Sequence, residues 1–175
     1  MRLKIKIVLV LVFSLLMLKT QNCVAQKFSK QEIKSAYIYN FITFVVWSPE
    51  KKSITIGIIG ENKFTKVLAS KLSTQKVKNI PLTIIEFTED QDYSNCDVIY
   101  TTNDLQTNPE IVLEKIKGKS ILSIGEMDDF CLKGGIINFI EGNNGNYFFE
   151  INQSRAIEEK IQISSKLLKL AIQIK

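Results

Sequence analysis

Histidine is absent from the 175 residues. That removes Ser–His and Cys–His dyads, the commonest general base, and most zinc and iron sites. Cysteine is scarce. Of the three in the chain, Cys23 lies in the amino-terminal segment, which leaves Cys96 and Cys131. Two thiols are too few for a thiolate metal site without histidine, and they do not form a redox Cys-x-x-Cys. Proline occurs only at Pro49, Pro81 and Pro109, and no Pro- or Ser-rich linker, charge block or internal repeat divides the chain. One domain is therefore expected over residues 26–175, large enough to bury a core without disulfide staples.

The first six residues carry three bases, Arg2, Lys4 and Lys6, and no acid. An apolar run from Ile7 to Leu18 follows, and Cys23-Val24-Ala25 is a small-x-small cleavage site. These are the parts of a secretory signal peptide over residues 1–25. Twelve helical residues would rise only about 18 Å, short of a hydrocarbon core of roughly 30 Å. Cleavage is expected rather than anchoring, and so is a place outside the cytoplasmic membrane. Arg2, Lys4, Lys6 and Lys19 would leave with the leader, so 23 bases against 18 acids become 19 against 18, a net charge of +1. The basicity belongs to the leader, and nucleic-acid binding loses its support.

What remains alternates between strand and helix signals. Ser29 to Trp47 reads as a helix with a capping box at Ser29 and Glu32, stopped by Pro49. Ile33, Tyr37, Phe41, Phe44 and Val45 form one apolar stripe, with Ile38, Ile42 and Val46 beside it. Strands are expected at 54–59, 81–87, 97–101 and 120–125. Helices are expected at 62–72 and from Asn108-Pro109 to Gly118. Strands 135–140 and 147–151 flank Gly142-Asn143-Asn144-Gly145, the composition of a hairpin turn. A last helix is expected from Gln153 to Lys175. The fold class is α/β: a three-layer sandwich, a mixed β-sheet flanked by helices, with a carboxy-terminal hairpin and helix.

No segment reaches the specificity of a catalytic motif. Ile56-Gly57-Ile58-Ile59-Gly60 leads from strand to helix but lacks the third glycine of a dinucleotide fingerprint and the ending of a P-loop. Glu126-Met127-Asp128-Asp129 follows the fourth strand, where α/β proteins often bind ligands, but reads as a solvated loop rather than a cation site. No cofactor, metal or catalytic residue is expected. Asn152 is expected to cap the last helix, Ser164 and Ser165 to permit close helix packing, and Gly134 and Gly135 to serve a loop of positive φ. Glu150 alternates with Phe149 and is either exposed or paired. If the third and fourth strands are parallel neighbours, about 15 Å separates Cys96 from Cys131. A disulfide needs Cα atoms within about 7 Å, so two free, buried thiols are expected.

Five segments, in order, resemble the YfiR/HmsC family of periplasmic regulators. They are Lys34 to Trp47 with its Asn40-Phe41, Ile56 to Phe64, Cys96 to Tyr100, Ile121 to Phe139 with Gly134-Gly135, and Phe149 to Asn152 followed by Ile163 to Ala171. Ser48 interrupts the usual Trp-Pro, Phe148 stands where an arginine is frequent, and Glu159-Lys160 replaces an Ala-Gly. The cysteines resemble halves of two different bridges of the family, each without its mate. The resemblance implies a non-catalytic repressor that binds the periplasmic part of an inner-membrane diguanylate cyclase. An OmpA-like outer-membrane lipoprotein would draw it away, raising cyclic-di-GMP and favouring biofilm. A homodimer is a default expectation. The residues of the partner surface are not assigned; the wide apolar faces of the first and last helices read as mostly core, with part of one as partner surface the alternative. The alternative is a periplasmic small-ligand sensor acting on a sensor kinase or other receptor; a hydrolase using carboxylates alone is a distant third.

Overall fold

The computed structural model describes residues 28–60, 62–103, 108–143 and 145–174; the expected leader, with Cys23, lies outside them, as does Asn144 of the hairpin turn. Helix α1 (Lys30–Thr43) starts at a complete capping box. The Ser29 hydroxyl accepts from the Glu32 N–H at 3.2 Å, and the Glu32 carboxylate accepts from the Ser29 N–H at 2.9 Å. Lys71 pairs with the same carboxylate at 2.7 Å. The helix stops short of Trp47 because the β-branched pair Val45-Val46 leaves it for a strand-like path. Val45 bridges Ile163 antiparallel, and the Val46 N–H donates to Gln162 O at 3.0 Å.

An eight-stranded sheet follows, in the order β2-β3-β1-β4-β5-β6-β7-β8. The elements are β1 (Ile54–Ile59), α2 (Asn62–Leu72), β2 (Lys76–Val77), β3 (Ile80–Phe87), β4 (Val98–Thr101), α3 (Pro109–Ile116), β5 (Leu122–Gly125), β6 (Ile137–Glu141) and β7 (Tyr147–Ile151). The chain closes with α4 (Gln153–Glu158), α5 (Ser165–Leu168) and β8 (Gln173–Ile174). Strands β3, β1, β4, β5 and β6 run parallel, whereas β2 and β7 are antiparallel to their hairpin mates. Apolar β1 is buried at all positions but Thr55, as a central strand covered on both faces must be.

On one face, Ile38, Phe41 and Ile42 of α1 and Phe64 and Leu68 of α2 pack on Ile54, Ile56, Ile58, Tyr100, Phe139 and Phe149. On the other, Val112, Leu113 and Ile116 of α3 cover Ile59, Cys96, Ile99 and Phe130. These are the three layers expected of the α/β sandwich. The glycines after β5 do two different jobs. Gly134 takes φ +100°. Gly135 instead makes room for the buried Phe130 ring, from which a Cβ would lie only 2.2 Å.

The closing segment departs from the single helix expected over 153–175. Glu159 is buried and accepts from the N–H groups of Gly118 at 2.9 Å and Ser120 at 3.3 Å, with Arg155 at 2.7 Å. Holding it there takes Lys160 to φ +57°, which ends α4. Thus the Glu159-Lys160 departure fastens the turn between α3 and β5. Ser164 is the cap of α5, its hydroxyl accepting from the Lys166 N–H at 3.3 Å, rather than a small residue inside a helix. Of the closing segment's apolar residues, Ile161 and Leu167 are buried, while Ile157 and Leu170 are exposed. Asn152 does cap α4, accepting from the Arg155 N–H at 2.9 Å.

Two outcomes follow. Gly135→Ala should lower unfolding free energy by about 1–3 kcal/mol through overpacking against Phe130, read by denaturant titration. Hydrogen bonding to Lys71 and Ser29 lowers the Glu32 pKa from 4.5 to about 2. Its contribution is therefore complete above pH 4.5 and lost as pH falls towards 2. Glu32→Gln should flatten that acid limb of the stability profile, lowering stability above pH 4.5 and leaving it nearly unchanged towards pH 2.

Candidate functional site

The carboxyl ends of the parallel strands open into a crevice of about 650 Å³. In open α/β sheets this is where ligands settle, because the chain diverges there to either face. Asn103 follows β4, Glu126 follows β5, Asn138 and Glu141 lie on β6, Tyr147 and Glu150 on β7, and Lys34 reaches in from α1. The expected acidic cluster is brought here: Glu126, Met127, Asp128 and Asp129 form one wall.

The charges are organised rather than scattered. Lys34 pairs with Glu126, whose other oxygen accepts from the Asn103 N–H at 3.1 Å. The Lys34 ammonium also lies 5.4 Å from the centre of the Tyr147 ring. Behind them, Asn138 accepts from the Met127 N–H at 3.2 Å and donates to Glu150 at 3.3 Å. Glu150 is buried and paired; the exposed option left open by its place on the strand does not arise. At the rim Glu141 pairs with Lys30, whose hydrogen bond lowers the Glu141 pKa, while burial and the Glu141 charge raise that of Tyr147.

This constellation can orient a small polar molecule. Among the described residues, no group of three Cys, Asp or Glu side chains is placed to hold a metal ion. Gly57 and Gly60 belong to β1 and its exit, away from the crevice lining. Cys96 and Cys131 are buried thiols outside any disulfide. Burial, then the Asp97 charge, pushes the Cys96 thiol up to about 11, while the Cys131 thiol points at Ile136 O from 3.6 Å.

Sequence reasoning missed Lys34, Asn138, Glu141 and Tyr147 as site residues. Lys34 carried a usable signal, a cation one turn before Tyr37 and Ile38 of the apolar stripes of α1; the others required the sheet order. Lys34→Ala should cost about 1–3 kcal/mol of unfolding free energy, since it leaves Glu126 partly buried without its cation. Lys34→Ala combined with Glu126→Gln should recover part of that loss, as a double-mutant cycle would show.

A second cavity, of about 350 Å³, runs along α1 between Phe28, Ile33, Ala36 and Tyr37, rimmed by Glu32 and Lys71. Phe28 is 61% exposed beside it. Among the described residues, no helix is long and apolar enough to cross a membrane.

Solved structures share the fold at low identity. A conserved domain protein from Vibrio cholerae O1 biovar El Tor superposes with TM-score 0.59 at 16% identity, over 85% of this chain and 61% of that one. An ABC domain in complex with L-Trp from Streptococcus pneumonia gives TM-score 0.57 at 14% identity, over 83% of this chain and 60% of that one. The chain thus spans about three fifths of either, and the likeness is one of fold. No curated protein matches it in sequence. The pattern of one family does match, over residues 31–172, from the first turn of α1 to the approach to β8. The chain belongs to the YfiR/HmsC-like family.

Proposed function

We propose that this protein is a non-catalytic regulator on the periplasmic side of the inner membrane, where it binds the periplasmic part of a diguanylate cyclase and represses it. The family match over residues 31–172 carries the reading. An OmpA-like lipoprotein of the outer membrane would compete for the repressor and so release the cyclase. The surface suits a binding role. The apolar groove along α1, with Phe28 at its mouth, offers area that an apolar partner segment can cover. The rim charges Glu32 and Lys71 already satisfy each other, so covering them strands no charge.

A second reading rests on the crevice of about 650 Å³ at the strand ends. Here the protein senses a small polar ligand and reports it to a sensor kinase or another receptor. The two readings differ in the output they predict. Deleting the gene should raise cellular cyclic-di-GMP and biofilm mass, and a plasmid copy should restore both. Unchanged cyclic-di-GMP, with the protein present in the periplasmic fraction of the parent strain, would sink cyclase repression and favour the sensor.

A further inference from the structure

The outer edge of β3 is open. Strand β2 pairs only with Ile80 and Pro81, and among the described residues no strand pairs with the edge from Leu82 to Phe87. Hydrogen-bond direction identifies the free groups. The Asp97 N–H donates to Thr55 O at 2.9 Å and the Thr102 N–H to Ile59 O at 3.0 Å, so these odd-numbered residues of β1 face β4. Ile54, Ile56 and Ile58 therefore face β3, and with their register the outward backbone groups belong to Leu82, Ile84 and Glu86. Native edges are usually blunted by lysine, proline or a bulge. Here Pro81 and Lys76 guard only the end that β2 covers, while Thr83 and Ile85 stay exposed.

We infer that this edge pairs antiparallel with the same edge of a second copy of the chain, joining two sheets across a two-fold axis at Ile85. Charge complementarity selects that occupant. The amino end of β3 carries Lys76 and Lys78, and the carboxyl end carries Glu86, Glu89, Asp90 and Asp92. Lys115 and Lys119 lie on the acidic side too and leave it net negative. Among the described residues, no ion pair engages Lys76, Lys78 or Glu86. A two-fold axis brings the basic end of each copy to the acidic end of the other, as an isologous interface requires.

The register follows from what the edge excludes. Setting Ile84 on its own mate would drive Phe87 into the place that Lys76 holds beside Pro81. Setting Glu86 on its mate would oppose two carboxylates. Setting Ile85 on its mate pairs Thr83 with Phe87 and Ile84 with Glu86, filling the open stretch from end to end. Ile85 points its backbone inward to β1, so the two Ile85 residues form a non-hydrogen-bonded pair. Such pairs bring Cα atoms to about 4.5 Å, within disulfide range.

The test is sedimentation of the purified protein together with oxidative cross-linking. The protein should run as a dimer, and Ile85→Lys, an exposed position that leaves the core intact, should halve the observed mass. Ile85→Cys should give a reducible covalent dimer under mild oxidant, whereas Thr83→Cys should not; Cys96 and Cys131 are buried and do not compete. A dimer that survives Ile85→Lys would overturn the pairing. So would a monomer whose Ile85→Cys form fails to cross-link, an outcome that would leave the edge to a strand of another protein.

Discussion

Phe139, on the fifth of the five parallel strands, meets four aromatic rings, with centroid separations from 5.4 to 6.3 Å. Two belong to α1 (Tyr37 and Phe41), one to β4 (Tyr100) and one to β7 (Tyr147). Phe64 of α2 joins through Tyr100 at 4.7 Å, and Phe149 of β7 through Phe41 at 4.9 Å. Each such pair contributes about 0.5–1.5 kcal/mol beyond the area it buries. The larger effect is geometric. The cluster ties the parallel half of the sheet, the antiparallel hairpin and the first helix into one body. Lys34 lies one helical turn before Tyr37 and Ile38, so the same packing that seats these rings aims its ammonium at Glu126. The crevice inherits its order from the core beneath it.

Much of the fold was legible because apolar periodicity reports burial directly. Ile54–Ile59 and Tyr147–Ile151 carry their pattern within the strand, and turn or cap residues mark their ends. The capping box at Ser29 and Glu32 is purely local chemistry and appears as expected. The closing segment was not legible. Ile161, Ile163 and Leu167 sit at helical spacing, yet a buried Glu159 and a distant partner, Val45, decide their conformation. Two-residue strands such as β2 and β8 are too short to carry a period at all. In the site, the acidic wall Glu126–Asp129 was visible as a cluster. What it faces depends on β6 and β7 lying next to β5, a fact of topology rather than of neighbouring residues.

The proposed regulator would work through shape and charge instead of a reactive atom. Cys96 and Cys131 are buried, and the crevice carboxylates Glu126, Glu141 and Glu150 are held by Lys34, Asn103, Lys30 and Asn138. The remaining surface is uneven. Apolar side chains stand free at Phe28, Phe148, Leu132 and Ile157. The α1 groove and the open β3 edge share no residue. One face can set the copy number while another sets the target.

The antiparallel bridge between Val45 and Ile163 joins points at nearly opposite ends of the described chain. Contacts of such sequence separation close the largest loops and form late. A chain entering an export channel amino terminus first would carry α1 and β1 across well before the residues that complete their packing. Until Ile163 and the closing strand arrive, the first helix has only part of its core. In a chain exported in that way, fold closure would fall at the end of transit.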